Sequence, residues 1–70
     1  MTCELTLRDV RSVARIVNLA HRFNCRCTQI EAAVHDGDET SARMSFEGPP
    51  IALTRLRAQI DRLLAYESVA

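Results

Sequence analysis

Two cysteines one residue apart, Cys25 and Cys27, are the side chains in this sequence most suited to chemistry. A pair of thiolates can bind a soft metal or cycle through oxidation. A structural zinc site needs four ligands at defined spacings, and neither Cys3, His21 nor His35 completes such a pattern. We therefore predict no metal site, and we interpret the two thiols as small, partly buried apolar side chains.

The remaining polar candidates favour local structural roles. His21 falls near the end of a predicted helix, where an imidazolium interacts favourably with free carbonyl groups. His35 borders a predicted turn and has no nucleophile or carboxylate at a catalytic spacing. The acidic turn Asp36-Gly37-Asp38-Glu39 lacks the twelve-residue spacing of a calcium loop. We predict no catalytic residue and no cofactor.

Length and charge limit the classes of function. The chain has 70 residues, nine basic and nine acidic, with a formal net charge of zero. A dedicated nucleic-acid or acidic-membrane binder needs an excess of cations, so neither partner is predicted. A chain this short has a thin core, which makes a partner chain a sensible expectation. Three cysteines and no apolar run of membrane-spanning length favour a cytoplasmic location.

The first half of the chain changes its hydrophobic period once. From Thr2 to Arg8 apolar and polar side chains alternate, which predicts a half-buried strand. Asp9 can accept hydrogen bonds at the start of a helix that runs from near Val10 to near Phe23. Asn24 tolerates positive φ and is predicted to end this helix. The apolar stripe predicted for it comprises Val10, Val13, Ile16, Val17 and Ala20.

The second half predicts a hairpin followed by a helix. A strand runs from Cys25 to His35, with a possible bulge near Cys25-Arg26-Cys27, where the alternation is irregular. Gly37 supplies the turn, and a third strand spans Thr40 to Glu47. Pro50 can begin the second helix, and Tyr66 to Val69 predicts a short fourth strand. The stripe of the second helix comprises Leu53, Leu56, Ile60, Leu63 and Leu64.

This order predicts an α+β domain of the ferredoxin-like βαββαβ type, a two-layer sandwich with two helices on one face of an antiparallel sheet. The opposite face, which carries Thr2, Glu4, Thr6, Arg43 and Ser45, is polar enough to meet water. RNA-recognition modules share this strand order, but they stack bases on aromatic residues in the first and third strands. Here the third strand offers only Phe46, on the predicted core face, and the first strand offers none.

The segment from Ser12 to Ile30 resembles the first helix and second strand of the ACT domain in small, regulatory subunits of acetolactate synthase. Arg15-Ile16-Val17 and Leu19 match that family's helix, and Asn24 stands where the family has its turn glycine. The segment from Gln59 to Val69 looks like the family's second helix running into its last strand. The resemblance implies a single ACT-like domain over residues 1–70.

One departure from the family concerns the loop before the first helix. ACT domains that bind an amino-acid effector usually carry a loop of the type N-x-P-G-x-L, whereas this chain has Arg11 at the glycine position. The Arg11 side chain either obstructs the site or pairs with a carboxylate itself. The effector-binding residues that the resemblance implies are Asp9, Val10, Arg11, Ser12, Asn24 and Cys25.

The resemblance implies a non-catalytic subunit that forms a homodimer and activates the large, catalytic subunit of acetolactate synthase, an enzyme of branched-chain amino-acid biosynthesis, with possible insensitivity to valine. The alternative is a free-standing ACT-like sensor that binds an amino acid at a dimer interface. A third reading, a small thiol or metal protein, predicts metal retained through Cys25 and Cys27.

Overall fold

The computed structural model describes the backbone of residues 1–69 and the side chains of residues 1–67. It contains a three-stranded antiparallel sheet and two helices, an α+β arrangement compatible with part of a ferredoxin-like fold. The elements in chain order are β1 (Thr2–Leu7), α1 (Arg11–Arg22), β2 (Arg26–Val34), a 3₁₀ turn (Asp36–Asp38), β3 (Thr40–Glu47) and α2 (Pro50–Val69).

The sheet has the order β1-β3-β2, so β3 is central and both other strands are edges. Cys3 pairs with Met44 and Leu5 with Ala42, which places alternate residues of β1 and β3 on one apolar face. The helices pack on this face and form one core with it. The buried apolar residues are Cys3, Leu5, Leu7, Ile16, Ala20, Cys25, Ala42, Met44, Phe46, Leu56 and Ile60.

Both helices begin where the sequence predicts. The Asp9 carboxylate accepts a hydrogen bond of 2.7 Å from the Arg11 backbone N–H, which satisfies one of the free donors at the start of α1. Pro50 is the first residue of α2, a position at which its missing N–H costs nothing. Asn24 has a φ of 59° and turns the chain from α1 toward β2.

The predicted hairpin is present, and β2 contains a bulge just after the segment Cys25-Arg26-Cys27 in which one was predicted. The register between β2 and β3 shifts between Cys27 and Gln29, leaving Thr28 as the extra residue. Because of this shift, Cys27 and Ile30 lie on the same face although their numbers differ in parity. Gly37 adopts a φ of 76° in the turn that leads to β3.

The prediction of a fourth strand at Tyr66 to Val69 is wrong, because the backbone of these residues belongs to α2. No glycine or proline interrupts the chain between Ile51 and Val69, so the helix has no intrinsic stop signal there. Within residues 1–69 the outer edge of β1 therefore has no neighbouring strand. The part of the resemblance that matched Gln59–Val69 to a helix running into a strand fails at its strand portion.

Neither helix in the described part of the chain is long and apolar enough to cross a bilayer.

Candidate functional site

The junction between β1 and α1 holds three of the predicted effector-binding residues around an internal ion pair. Arg11 Nη2 lies 3.0 Å from Asp9 Oδ2, and Arg11 Nε lies 3.4 Å from Asp9 Oδ1. The hydrogen bonds from the Arg11 side chain and backbone lower the pKa of Asp9, and the same carboxylate raises the pKa of Arg11. The guanidinium is thus already bound to a carboxylate of its own chain.

Ser12, the fourth predicted residue of this junction, is buried and faces the other helix. Ser12 is 2% exposed, and its hydroxyl donates a hydrogen bond to Oε1 of Glu67 near the end of α2. Oε2 of Glu67 is shielded from solvent and has no hydrogen-bond partner among the described residues. Ser12 therefore ties α1 to α2, and its hydroxyl is not presented to a ligand at the surface.

A small surface cavity of about 260 Å³ opens beside this junction. It is lined by Asp9, Val10, Arg11, Val34 and Asp38, so the end of β2 and the turn after it form its far wall. Val10 was predicted to lie in the buried stripe of α1, but it is 52% exposed because it precedes the helix and faces this cavity. The junction thus offers one cation and two carboxylates beside two exposed valines.

Asn24 and Cys25, the other predicted effector-binding residues, lie at the opposite end of α1. They line a separate surface cavity with His21, Arg26, Glu47 and Gly48. A helix of 12 residues is about 18 Å long, so one protomer does not bring these residues together with Asp9. Cys25 is buried, and a Cβ on Gly48 would lie 3.0 Å from its sulfur.

Cys25, Cys27 and His35 have local partners. Cys25 Sγ and Cys27 Sγ each lie 3.6 Å from a backbone oxygen, those of Phe23 and Gln29 respectively. His35 Nε2 lies 2.9 Å from Ser41 Oγ across the hairpin. Among the described residues, no group of three or more His, Cys, Asp or Glu side chains is placed to hold a metal ion.

The edge strand β2 exposes apolar side chains on the helix-facing side of the sheet. Ile30 pairs with Met44 and Val34 with Thr40, whose side chains are fully buried, yet Ile30 is 46% exposed and Val34 57% exposed. Ala32, between them, is also exposed. The helices therefore leave this half of β2 uncovered. We call Ile30, Ala32 and Val34 the β2 patch.

The hydrogen-bond pattern shows which backbone groups the two edges offer. Met1 and Phe46 exchange both of their backbone hydrogen bonds. Because such pairs alternate in an antiparallel ladder, the N–H and C=O groups of Thr2, Glu4 and Thr6 point away from β3. The same alternation, carried across β3, points the backbone groups of Ile30, Ala32 and Val34 to the outside. The β2 patch thus combines free backbone groups with apolar side chains.

Sequence reasoning missed the β2 patch and Glu67. Alternation places Ile30, Ala32 and Val34 on the core face correctly, but it carries no signal about whether a helix lies over them. Glu67 falls in the segment predicted as a strand, so its contact with Ser12 was hidden by that error. The signal that could have revealed it is the unbroken run of helix-compatible residues after Pro50.

Comparison of the chain with known protein families, with curated protein sequences and with solved structures finds no match.

Proposed function

We propose that this chain is a non-catalytic regulatory subunit of the ACT type, which forms a homodimer and activates the large subunit of a thiamine-diphosphate-dependent acetolactate synthase. The choice of enzyme rests on the sequence resemblance between Ser12 and Ile30. The observation that carries the proposal is the β2 patch, since a free strand edge with uncovered apolar side chains is a surface suited to association. The β2 patch is therefore suited to binding another chain and not to enclosing a substrate.

The β2 patch is self-complementary in an antiparallel pair. A two-fold axis through Ala32 sets Ala32 against the partner's Ala32 and Ile30 against the partner's Val34. The outward backbone groups of the three residues then form about six hydrogen bonds between the copies. The exposed apolar side chains of both copies become neighbours, and the sheet grows from three strands to six.

The same pairing places the cavity at Asp9, Val10 and Arg11 beside the β2 strand of the partner. Val34 forms one wall of the cavity at Asp9, Val10 and Arg11, and in the pair Val34 lies opposite the partner's Ile30. Asp9 already occupies Nε and Nη2 of Arg11 and partly balances its charge, so an amino-acid carboxylate gains less from binding there, which favours a subunit that activates without an effector.

Activation by such a subunit requires that it bind two conformations of the catalytic subunit unequally. A partner with equal affinity for both conformations shifts neither population. We expect the dimer to bind the productive conformation more tightly, so that the turnover rate of the catalytic subunit rises with the concentration of this chain until the site is filled.

Two measurements test the proposal. Light scattering at tens of micromolar should show a dimer, and a monomer at that concentration would contradict the association step. Mixing the chain with an acetolactate synthase large subunit should give co-elution and a raised rate of acetolactate formation. If the two proteins do not co-elute and the rate of acetolactate formation does not change, the proposed partnership is wrong. The matched control is Val34→Glu, which should weaken dimerisation without touching the core, because Val34 is 57% exposed.

A second candidate function, the free-standing amino-acid sensor, is favoured by the cavity at Asp9, Val10 and Arg11. Calorimetry against the twenty amino acids separates the two functions. A micromolar heat response that disappears in Arg11→Ala would favour the sensor and make Arg11 the carboxylate-binding group. No response to any amino acid would favour the regulatory subunit.

A further inference from the structure

The outer edge of β1 offers hydrogen-bonding groups without an apolar surface. Its free N–H and C=O groups belong to Thr2, Glu4 and Thr6, whose polar side chains lie on the open face of the sheet. The side chains on its other face, those of Cys3, Leu5 and Leu7, are at most 7% exposed because α2 and the core cover them. A chain added here would thus gain backbone hydrogen bonds and little apolar contact.

Cations flank this edge at both ends. At the first end, Nη1 of Arg57 lies 3.4 Å from Cys3 Sγ, and Arg57 shares a surface cavity with Thr2 and Glu4, which places its guanidinium beside the edge. Its Nε also pairs with Asp61 at 3.3 Å, on the exposed side of α2, and this leaves Nη1 and Nη2 for a further carboxylate. At the other end, the exposed Arg8 directly follows Leu7 and forms no ion pair with any described residue. The carboxylate between them, that of Glu4, is paired with Arg43 of β3.

A second copy of this chain is a poor occupant for the edge. A homodimer through β2 already uses one edge of each sheet, and self-pairing through β1 as well would extend the sheet without limit. β1 itself carries one acidic residue, which is already paired, so it offers the two cations no complementary charge.

We propose that the free edge of β1 binds an extended acidic segment of a different protein, which adds to the sheet as a fourth strand beside Thr2, Glu4 and Thr6. The segment pairs its backbone with these three residues, and its carboxylates lie near Arg57 and Arg8. This inference deepens the proposed function and rests on it for the identity of the partner, since the segment would belong to the catalytic subunit.

The binding step is tested with a defined probe, a capped seven-residue peptide that alternates Thr and Val and carries Asp at its second and sixth positions. The matched control peptide carries Lys at those two positions. Titration of the ¹⁵N-labelled chain should shift the backbone amide signals of Thr2, Glu4 and Thr6 and slow their hydrogen exchange. Shifts centred on Ile30 to Val34, no shifts at millimolar peptide, or equal binding of the Lys peptide would overturn the proposal.

Two variants locate the contact. Thr6→Pro removes an N–H that points away from β3, so the fold should persist while peptide affinity falls about tenfold or more. Arg57→Glu should lower affinity at least about fivefold and reduce its salt dependence, whereas Arg55→Glu, two residues away on the same helix, should leave it unchanged. Unchanged affinity in both Thr6→Pro and Arg57→Glu, with native amide spectra, would contradict the contact.

The peptide experiment and the enzyme experiment fail separately. Peptide binding without any effect on the acetolactate synthase large subunit would leave the strand addition intact and remove the proposed partner. Activation of the large subunit that persists in Thr6→Pro would retain the proposed function and overturn the strand addition.

Discussion

The two edges of the sheet come from strands with similar alternation but differ in what covers them. On β1 the inward side chains lie beneath the helices, and Cys3, Leu5 and Leu7 are buried. On β2 the inward side chains of Ile30 and Val34 remain about half exposed. The difference teaches that alternation assigns a side chain to a face, whereas the placement of the helices decides whether that face is a core or an interface.

The largest expected effect is a loss of stability, and it should differ between two residues that pair with each other across β2 and β3. Met44 is fully buried and Ile30, opposite it, is 46% exposed. Met44→Ala should lower the free energy of unfolding by about 2–5 kcal/mol, because it leaves a cavity in the core. Ile30→Ala should cost about 0.5 kcal/mol in the monomer. Urea unfolding at monomeric concentrations measures both, and equal losses would erase the distinction between core and interface.

The next effect concerns the association of the β2 patch. Ile30→Glu places two carboxylates near the two-fold axis of the proposed dimer, so the dimer dissociation constant should rise at least about tenfold. Ile51→Glu is the matched control, since Ile51 is also an exposed isoleucine, 68% exposed, but lies on α2. Sedimentation equilibrium measures the constants. A similar change in both variants would show that exposure alone, and not the strand edge, governs self-association.

A smaller loss of stability is expected when the hydrogen bond between α1 and α2 is removed, and it tests what holds the helices over β1. Ser12→Ala removes the donor to Glu67 and leaves that carboxylate without its partner, which should cost about 1–2 kcal/mol in thermal unfolding. Glu67→Gln keeps an oxygen that can accept from Ser12 and should cost less. If α2 covers β1 through this contact, exchange of the Leu5 amide should quicken more in Ser12→Ala than that of the Met44 amide. Unchanged exchange would show that apolar packing alone positions α2.

The smallest expected effect is the pH dependence of the β1–α1 junction, which borders the β2 patch. The pKa of Asp9 is lowered from 3.8 by its hydrogen bonds with Arg11. The ionised form is thus favoured by folding, so its contribution to stability is present above pH 3.8 and is lost as the pH falls through the lowered value. The wild type should melt slightly above Asp9→Asn at pH 7, and the gap should close in strong acid. If the difference in melting temperature between the two proteins persists in strong acid, it comes from the capping hydrogen bond at the start of α1 and not from the charge of Asp9.

Much of the fold follows from short-range signals in the sequence. Asn24, Gly37 and Pro50 mark a helix end, a turn and a helix start because their backbone preferences act locally. The prediction failed at Tyr66 to Val69, where a short segment compatible with either state remains helical and Glu67 contacts Ser12 from across the fold. Sequence reasoning named Asp9 as an acceptor at the helix start and Arg11 as an effector-binding residue, but it did not foresee that the two form an ion pair. The exposure of the β2 patch depends on tertiary packing and was not foreseen either.

Thr28, the extra residue of the bulge, decides which chemistry the outer strand presents on each side. If Thr28 were instead paired with Ser45 in an unbroken ladder, each later residue of β2 would exchange sides relative to Cys27. Gln29 and Glu31 would turn toward the helices, while Ile30 and Val34 would join the charged surface of Arg43 and Glu4. The bulge thus keeps apolar and charged side chains on separate faces along this edge of the sheet.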